Sequence, residues 1–125
     1  MFNTSLLISD AERLGIALTD EQLSRFDALS DLLVEQNKTM NLTAITDPDG
    51  IATKHFADSI SALSAYDFPE NAKVLDVGTG AGFPGIPLLI MRNDIDLTLL
   101  DSLNKRLIFV ESVLNELGLK AKIVH

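Results

Sequence analysis

Apolar residues recur at helical spacing through residues 1–70 and gather into short unbroken runs after that. Leu6, Leu7, Leu14 and Ile16 suit a short helix ending near Gly15. Thr19, Asp20, Glu21 and Gln22 have the form of a capping box. In it the Thr19 hydroxyl accepts a first-turn amide while Gln22 reaches back to the cap. Leu23, Phe26, Leu29, Leu32 and Leu33 follow as one apolar stripe, which predicts a helix facing the core. Asp47 then Pro48 is a second start signal, an N-cap followed by proline at the first helical position. Ala52, Phe56, Ile60 and Leu63 continue that third helix.

The pattern changes after Pro69. Val74, Leu75, Asp76 and Val77 form a short run opening into glycines and read as a buried parallel strand. Residues 84–92 read as a helix, Leu97 to Leu100 as a second buried strand ending at Asp101, and 103–117 as a helix closed by Gly118. Lys122, Ile123 and Val124 begin a third strand. The order β-α-β-α-β predicts an α/β fold with a parallel sheet and right-handed crossovers. An N-terminal helical segment, 1–70, and a partial sheet domain, 71–125, are expected to form one compact unit.

Composition narrows the chemistry. There is no cysteine, which excludes disulfides, thiolate metal sites and cysteine nucleophiles. Two histidines, His55 and His125, are too few for a typical zinc site, and no metal is expected. The N-terminus lacks a secretory pattern and the apolar runs are too short to span a bilayer, so the expected compartment is the cytoplasm, with no membrane partner. Net charge is −8. Residues 1–50 hold nine acids against three bases, and residues 51–125 nine against seven. Contact with nucleic acid would have to come from local basic patches or from protein outside this chain.

The candidate site is the glycine-rich turn after the first strand. Gly78, Gly80, Gly82 and Gly85 stand where a strand ends and a helix begins, the place at which open α/β sheets bind ligands. Gly80, Gly82 and Gly85 also satisfy G-x-G-x-x-G, so a dinucleotide enzyme must be weighed. Asp76, at the mouth of the expected site, would repel a pyrophosphate and suit a cationic ligand. Phe83 and Pro84 fill the turn a pyrophosphate would need. Asp101 closes the next strand, where an acid can take both hydroxyls of a ribose. Asp101 or Ser102 could instead cap the following helix.

Asp76 to Leu88 resembles the first motif of the ribosomal RNA small-subunit methyltransferase G family, also called glucose-inhibited division protein B. Thr98 to Arg106 is similar to that family's next signature. Asn41 to Ile45 and Lys54 to Ser59 match its segments before the sheet. The resemblance implies a Rossmann-like class I fold that binds S-adenosylmethionine (SAM) and methylates N7 of a guanine in small-subunit ribosomal RNA, naked or in an assembling subunit. It implies Gly78 and Phe83 at the cofactor, Gly80 and Gly82 shaping the loop, and Asp101 and Ser102 on the ribose and adenine side; Asp76 is expected to bind the cofactor through its positive charges. The family's Arg-Ala-Glu stretch and a later arginine are not in this chain, so the resemblance implies an N-terminal portion of such an enzyme.

The sulfonium of SAM is its own activated leaving group, and N7 of guanine is unprotonated at neutral pH. No general base is needed, and no catalytic side chain is assigned. His55 and Asp58 could touch the target base or serve helix packing and solvation; Lys105 and Arg106 could meet phosphates or form a solvated helix face. The alternatives to the methyltransferase are a nicotinamide-dependent oxidoreductase and an inactive SAM-binding fragment. A complete enzyme is expected to be a monomer. The chain as given should self-associate through an exposed strand edge at Val74 to Val77.

Overall fold

The structure, a computed structural model, describes residues 2–125. Helix α1 spans Thr4–Arg13 and α2 spans Asp20–Met40. The capping box at Thr19 is complete: the Gln22 amide donates to Thr19 Oγ1 at 3.1 Å, and the Thr19 amide donates to Gln22 Oε1 at 2.8 Å. Thr19→Ala should lower stability by about 1 kcal/mol, read as a shift of the urea midpoint at unchanged slope.

The third helical segment, 48–65, is labelled α3. It begins with Asp47 capping a turn at Pro48–Gly50, runs as a π-helix over Ile51–Ala57, returns to α-helix at Asp58–Ile60 and ends with a turn at Ala62–Ala65. The sequence predicts an ordinary helix here. Wide π turns are rare and gather at functional sites. Phe56 anchors this turn between Phe2 and Phe26, with ring centroids 5.0 and 4.8 Å away. Thr53 Oγ1 donates to Asp10 Oδ2 at 3.1 Å and ties α3 to α1.

Strand β1 spans Lys73–Val77, α4 Gly85–Met91, β2 Asp96–Leu100, α5 Asn104–Leu117 and β3 Lys122–Val124. The sheet is parallel in the order β1-β2-β3, with β1 at one edge. Gly118 ends α5 at φ +68°, the left-handed conformation that glycine accepts readily. One apolar core joins α1, α2 and α3 to α4, α5 and the inner face of the sheet, with Phe26, Phe56, Ile86, Leu97 and Leu99 among its fully buried residues. Among the described residues no helix is long and apolar enough to cross a membrane.

The expectation of a buried first strand is corrected. Leu75 is 60% exposed and Val77 68% exposed, while Asp76 between them is buried. Two right-handed crossovers running in the same direction lay their helices on one face of the sheet. Parallel partners in register share a face, so Asp76 and Leu99 point toward the helices, whereas Val77, Leu100 and Val124 point away from them.

Candidate functional site

The turn from β1 to α4 is held by buried hydrogen bonds. Asp76 Oδ2 accepts the Thr79 hydroxyl at 2.6 Å and the Gly85 amide at 3.0 Å. The Gly78 and Thr79 amides donate to the Leu100 carbonyl at 2.8 and 3.0 Å, which fastens the loop to the end of β2. Asp76 therefore lies beneath the loop as its brace, and the expected place at the mouth of the cleft is not where its carboxylate is committed.

The glycines divide by what surrounds them. Gly78 has φ +71° and Gly80 φ +59°, and a Cβ on either would meet only open space. Their backbone faces outward, where a ligand can approach it. Gly82 and Gly85 are packing positions. A Cβ on Gly82 would strike the Ile86 side chain, and one on Gly85 would strike Leu99 and come within 2.8 Å of Asp76 Oδ2. Thus two of the three glycines in the G-x-G-x-x-G pattern are consumed by packing. Between them, the Phe83–Pro84 peptide is cis.

Asp101 sits across from this loop at the C-terminal end of β2 and is only 4% exposed. Its Oδ2 accepts the Gly80 amide at 2.8 Å, and its Oδ1 accepts the Leu103 amide at 2.8 Å. The Arg106 guanidinium stands 3.8 Å from Oδ2. The Leu103 amide does most to hold this carboxyl below the usual carboxylate range; burial opposes it, and the Gly80 amide and Arg106 add to the lowering. The group is an anion at neutral pH. Each oxygen keeps a further lone pair for a hydroxyl donor. The capping alternative is met in part, because Asp101 fixes the amide just before α5, yet the N-cap of that helix is Leu103 with no side-chain cap bond.

A cavity of about 470 Å³ opens here, lined by Val77, Gly78, Leu100, Asp101, Ser102, Arg106 and His125. Of the residues expected at a cofactor, it gathers Gly78, Asp101 and Ser102. Asp76, Gly80, Gly82 and Phe83 shape the loop and do not line it. Lys105 is exposed beside it, outside the lining. His125, whose Nε2 donates to the Ser102 carbonyl at 3.1 Å, was not expected in the site from the sequence, nor were Val77 and Leu100. Their common signal is position, at or just past the C-terminal ends of parallel strands.

His55 and Asp58 lie on the other side of the loop. The His55 ring stacks on Phe83 with centroids 4.7 Å apart and planes 6° apart, and its Nε2 shares a 2.8 Å hydrogen bond with the Thr43 hydroxyl. Burial pushes the imidazole below its usual value, against the attraction of Asp58, so the ring is neutral at pH 7. His55, Asp58 and Phe83, with Lys54, Ser59, Ala62 and Pro84, line a second cavity, of about 290 Å³. Among the described residues no group of histidines and acids is placed to hold a metal ion.

Residues 22–125 match the family model described as rRNA small subunit methyltransferase G. Curated proteins named ribosomal RNA small subunit methyltransferase G are similar along nearly the whole chain. The one from Clostridium perfringens strain 13 is 47% identical over 121 residues, covering 96% of this chain and 51% of the relative. That from Desulforamulus reducens is 49% identical over 116 residues, covering 93% and 48%. That from Exiguobacterium sibiricum is 48% identical over 111 residues, covering 89% and 47%. The chain spans about half the length of the curated relatives it matches.

Proposed function

The chain belongs to the rRNA small subunit methyltransferase G family, and from that premise we propose that it forms the donor-binding part of an enzyme that methylates N7 of a guanine in small-subunit ribosomal RNA, with SAM as donor. Asp101 is the observation that carries the reading: a buried anion at the end of β2, lining a cavity with Gly78 and bonded to the Gly80 amide. The residues present fit the donor. The outward-facing backbone at Gly78 admits close approach, and Asp101 offers free lone pairs to vicinal hydroxyls.

SAM supplies a methyl group already activated on a positively charged sulfur. The chain's own work is binding and alignment. Asp101 holds the ribose, and Ser102 at the rim takes the adenine side. Asp76, with Thr79, keeps the loop in shape, and Phe83 faces the opposite side of the loop. No side chain has to remove a proton from N7, so none is assigned as a base. Arg106, at the rim of the cavity, and exposed Lys105 are the local cations available to phosphates, a limited patch on a chain of net charge −8. The substrate is then the RNA itself or an assembling subunit, and the setting is the cytoplasm.

The inward packing of Gly82 and Gly85, together with the family match, speaks against the nicotinamide alternative. Titration calorimetry with SAM and with NAD separates the two. Saturable heat with SAM and none with NAD is expected; saturable NAD binding without SAM binding would overturn the proposal.

A further inference from the structure

One loop fronts two cavities. Gly78 lines the donor cavity, while Phe83 and Pro84 wall the second one against α3. Donor binding makes no use of that second cavity. We infer that it receives the target base, turned out of its stack, and that Lys54 and Asp58 select guanine by reading the base edge. The inference rests on the methyl-transfer reading of the Asp101 cavity.

Size, wall and charge all point the same way. At about 290 Å³ the cavity is at the small end of ligand pockets, suited to one base and not to a length of chain. Its wall includes the stacked His55–Phe83 pair, and aromatic rings are what unstacked bases lie against. Enzymes that act on a base commonly turn it out of its stack and read its Watson–Crick edge in such a pocket.

The polar groups match guanine among the four bases. Lys54 and Asp58 are exposed, four residues apart on α3, and both line the cavity. Guanine presents two adjacent donors, N1–H and the 2-amino group, beside the O6 acceptor. The Asp58 carboxylate can accept both donors, and the Lys54 ammonium can donate to O6. Adenine offers an acceptor at N1 and a donor at N6, the reverse at both places. Uracil lacks the second donor, and cytosine has an acceptor where N1–H is required. His55 takes no part in this reading. It is neutral, bonded to Thr43 and stacked on Phe83, so it acts as a positioning residue for the wall.

The test is an NMR titration of the chain with guanosine, inosine and adenosine monophosphates. S-adenosylhomocysteine is added at saturation so that the donor cavity cannot capture the nucleotide. Guanosine monophosphate should shift the His55 and Phe83 resonances saturably and bind about tenfold or more tighter than adenosine monophosphate. Inosine monophosphate, which lacks only the 2-amino group, should bind more weakly than guanosine monophosphate without any change to the protein. Asp58→Asn should erase the guanine preference, and Lys54→Met should weaken guanosine and inosine monophosphates, which both carry O6, and leave adenosine monophosphate unchanged. No saturable shift at His55 and Phe83, or equal binding of all three nucleotides, overturns the inference. SAM titrated into separate samples, free of S-adenosylhomocysteine and nucleotide, separates the two failures. SAM binding with no guanine preference removes only the base pocket, whereas loss of SAM binding removes the reading beneath it.

Discussion

Asp76→Ala should destabilise the fold by about 2–6 kcal/mol, because two donors lose their acceptor at once at about 1–3 kcal/mol each. The Thr79 hydroxyl and the Gly85 amide both bond to Asp76 Oδ2 in buried positions. Water cannot readily replace the carboxylate there, since Leu99 and the packed glycines close the space around it. Thermal unfolding followed by circular dichroism should show a fall in midpoint of about 10 °C or more. Thr79→Val removes one donor in place of the shared acceptor and should cost less. The double variant should be less destabilised than the sum of the two, since both act on one bond. A loss below about 1 kcal/mol for Asp76→Ala would mean that the loop keeps its shape without the brace, and that this carboxylate is free for the ligand as the sequence suggests.

That difference marks where the sequence stops being informative. The capping box at Thr19, the cap at Asp47 and the end of α5 at Gly118 were legible because each is a local bond or a local backbone angle. The apolar runs located all three strands for the same reason. The direction of Asp76 was not legible. It depends on which residues of β2 pair with β1, and Leu97, Thr98, Leu99 and Leu100 are too uniformly apolar to reveal which alternate set faces the helices. The exposure of Leu75 and Val77 is a fact of topology, because it follows from both crossover helices lying on one face. The π turn in α3 was hidden as well. Ala52, Phe56 and Ile60 recur every four residues, a spacing that an α-helix and a wider turn both satisfy.

The candidate site was legible as a loop and an acid, and illegible as a pair of cavities. Gly78 and Asp101 carry their signal in position, each following the end of a strand. The stacking of His55 on Phe83 joins residues far apart in the chain, as does the bond from His55 to Thr43, and no local pattern announces either. The division of the glycines into outward Gly78 and Gly80 and inward Gly82 and Gly85 appears only once Ile86 and Leu99 are in place.

Asp101→Ala should weaken SAM binding by about 1–3 kcal/mol, roughly five- to 150-fold, because bonds to a charged acceptor are lost. Folding stability should fall as well, by about 1–2 kcal/mol, since the Gly80 and Leu103 amides lose the same carboxylate. Calorimetry well below the melting temperature isolates the binding loss from the folding loss. Acid gives a further signature. Because the folded carboxyl titrates below its unfolded value, its contribution is complete above about pH 3.9 and drains away as pH falls through the folded value. The wild type should therefore lose its advantage over Asp101→Ala in that acid window and keep it at neutral pH. Asp101→Asn, which retains one acceptor oxygen, should fall between the two in both measurements. If all three proteins bind SAM equally at neutral pH while their stabilities still separate, Asp101 is a tether between the loop and α5, and the ribose is held by something else.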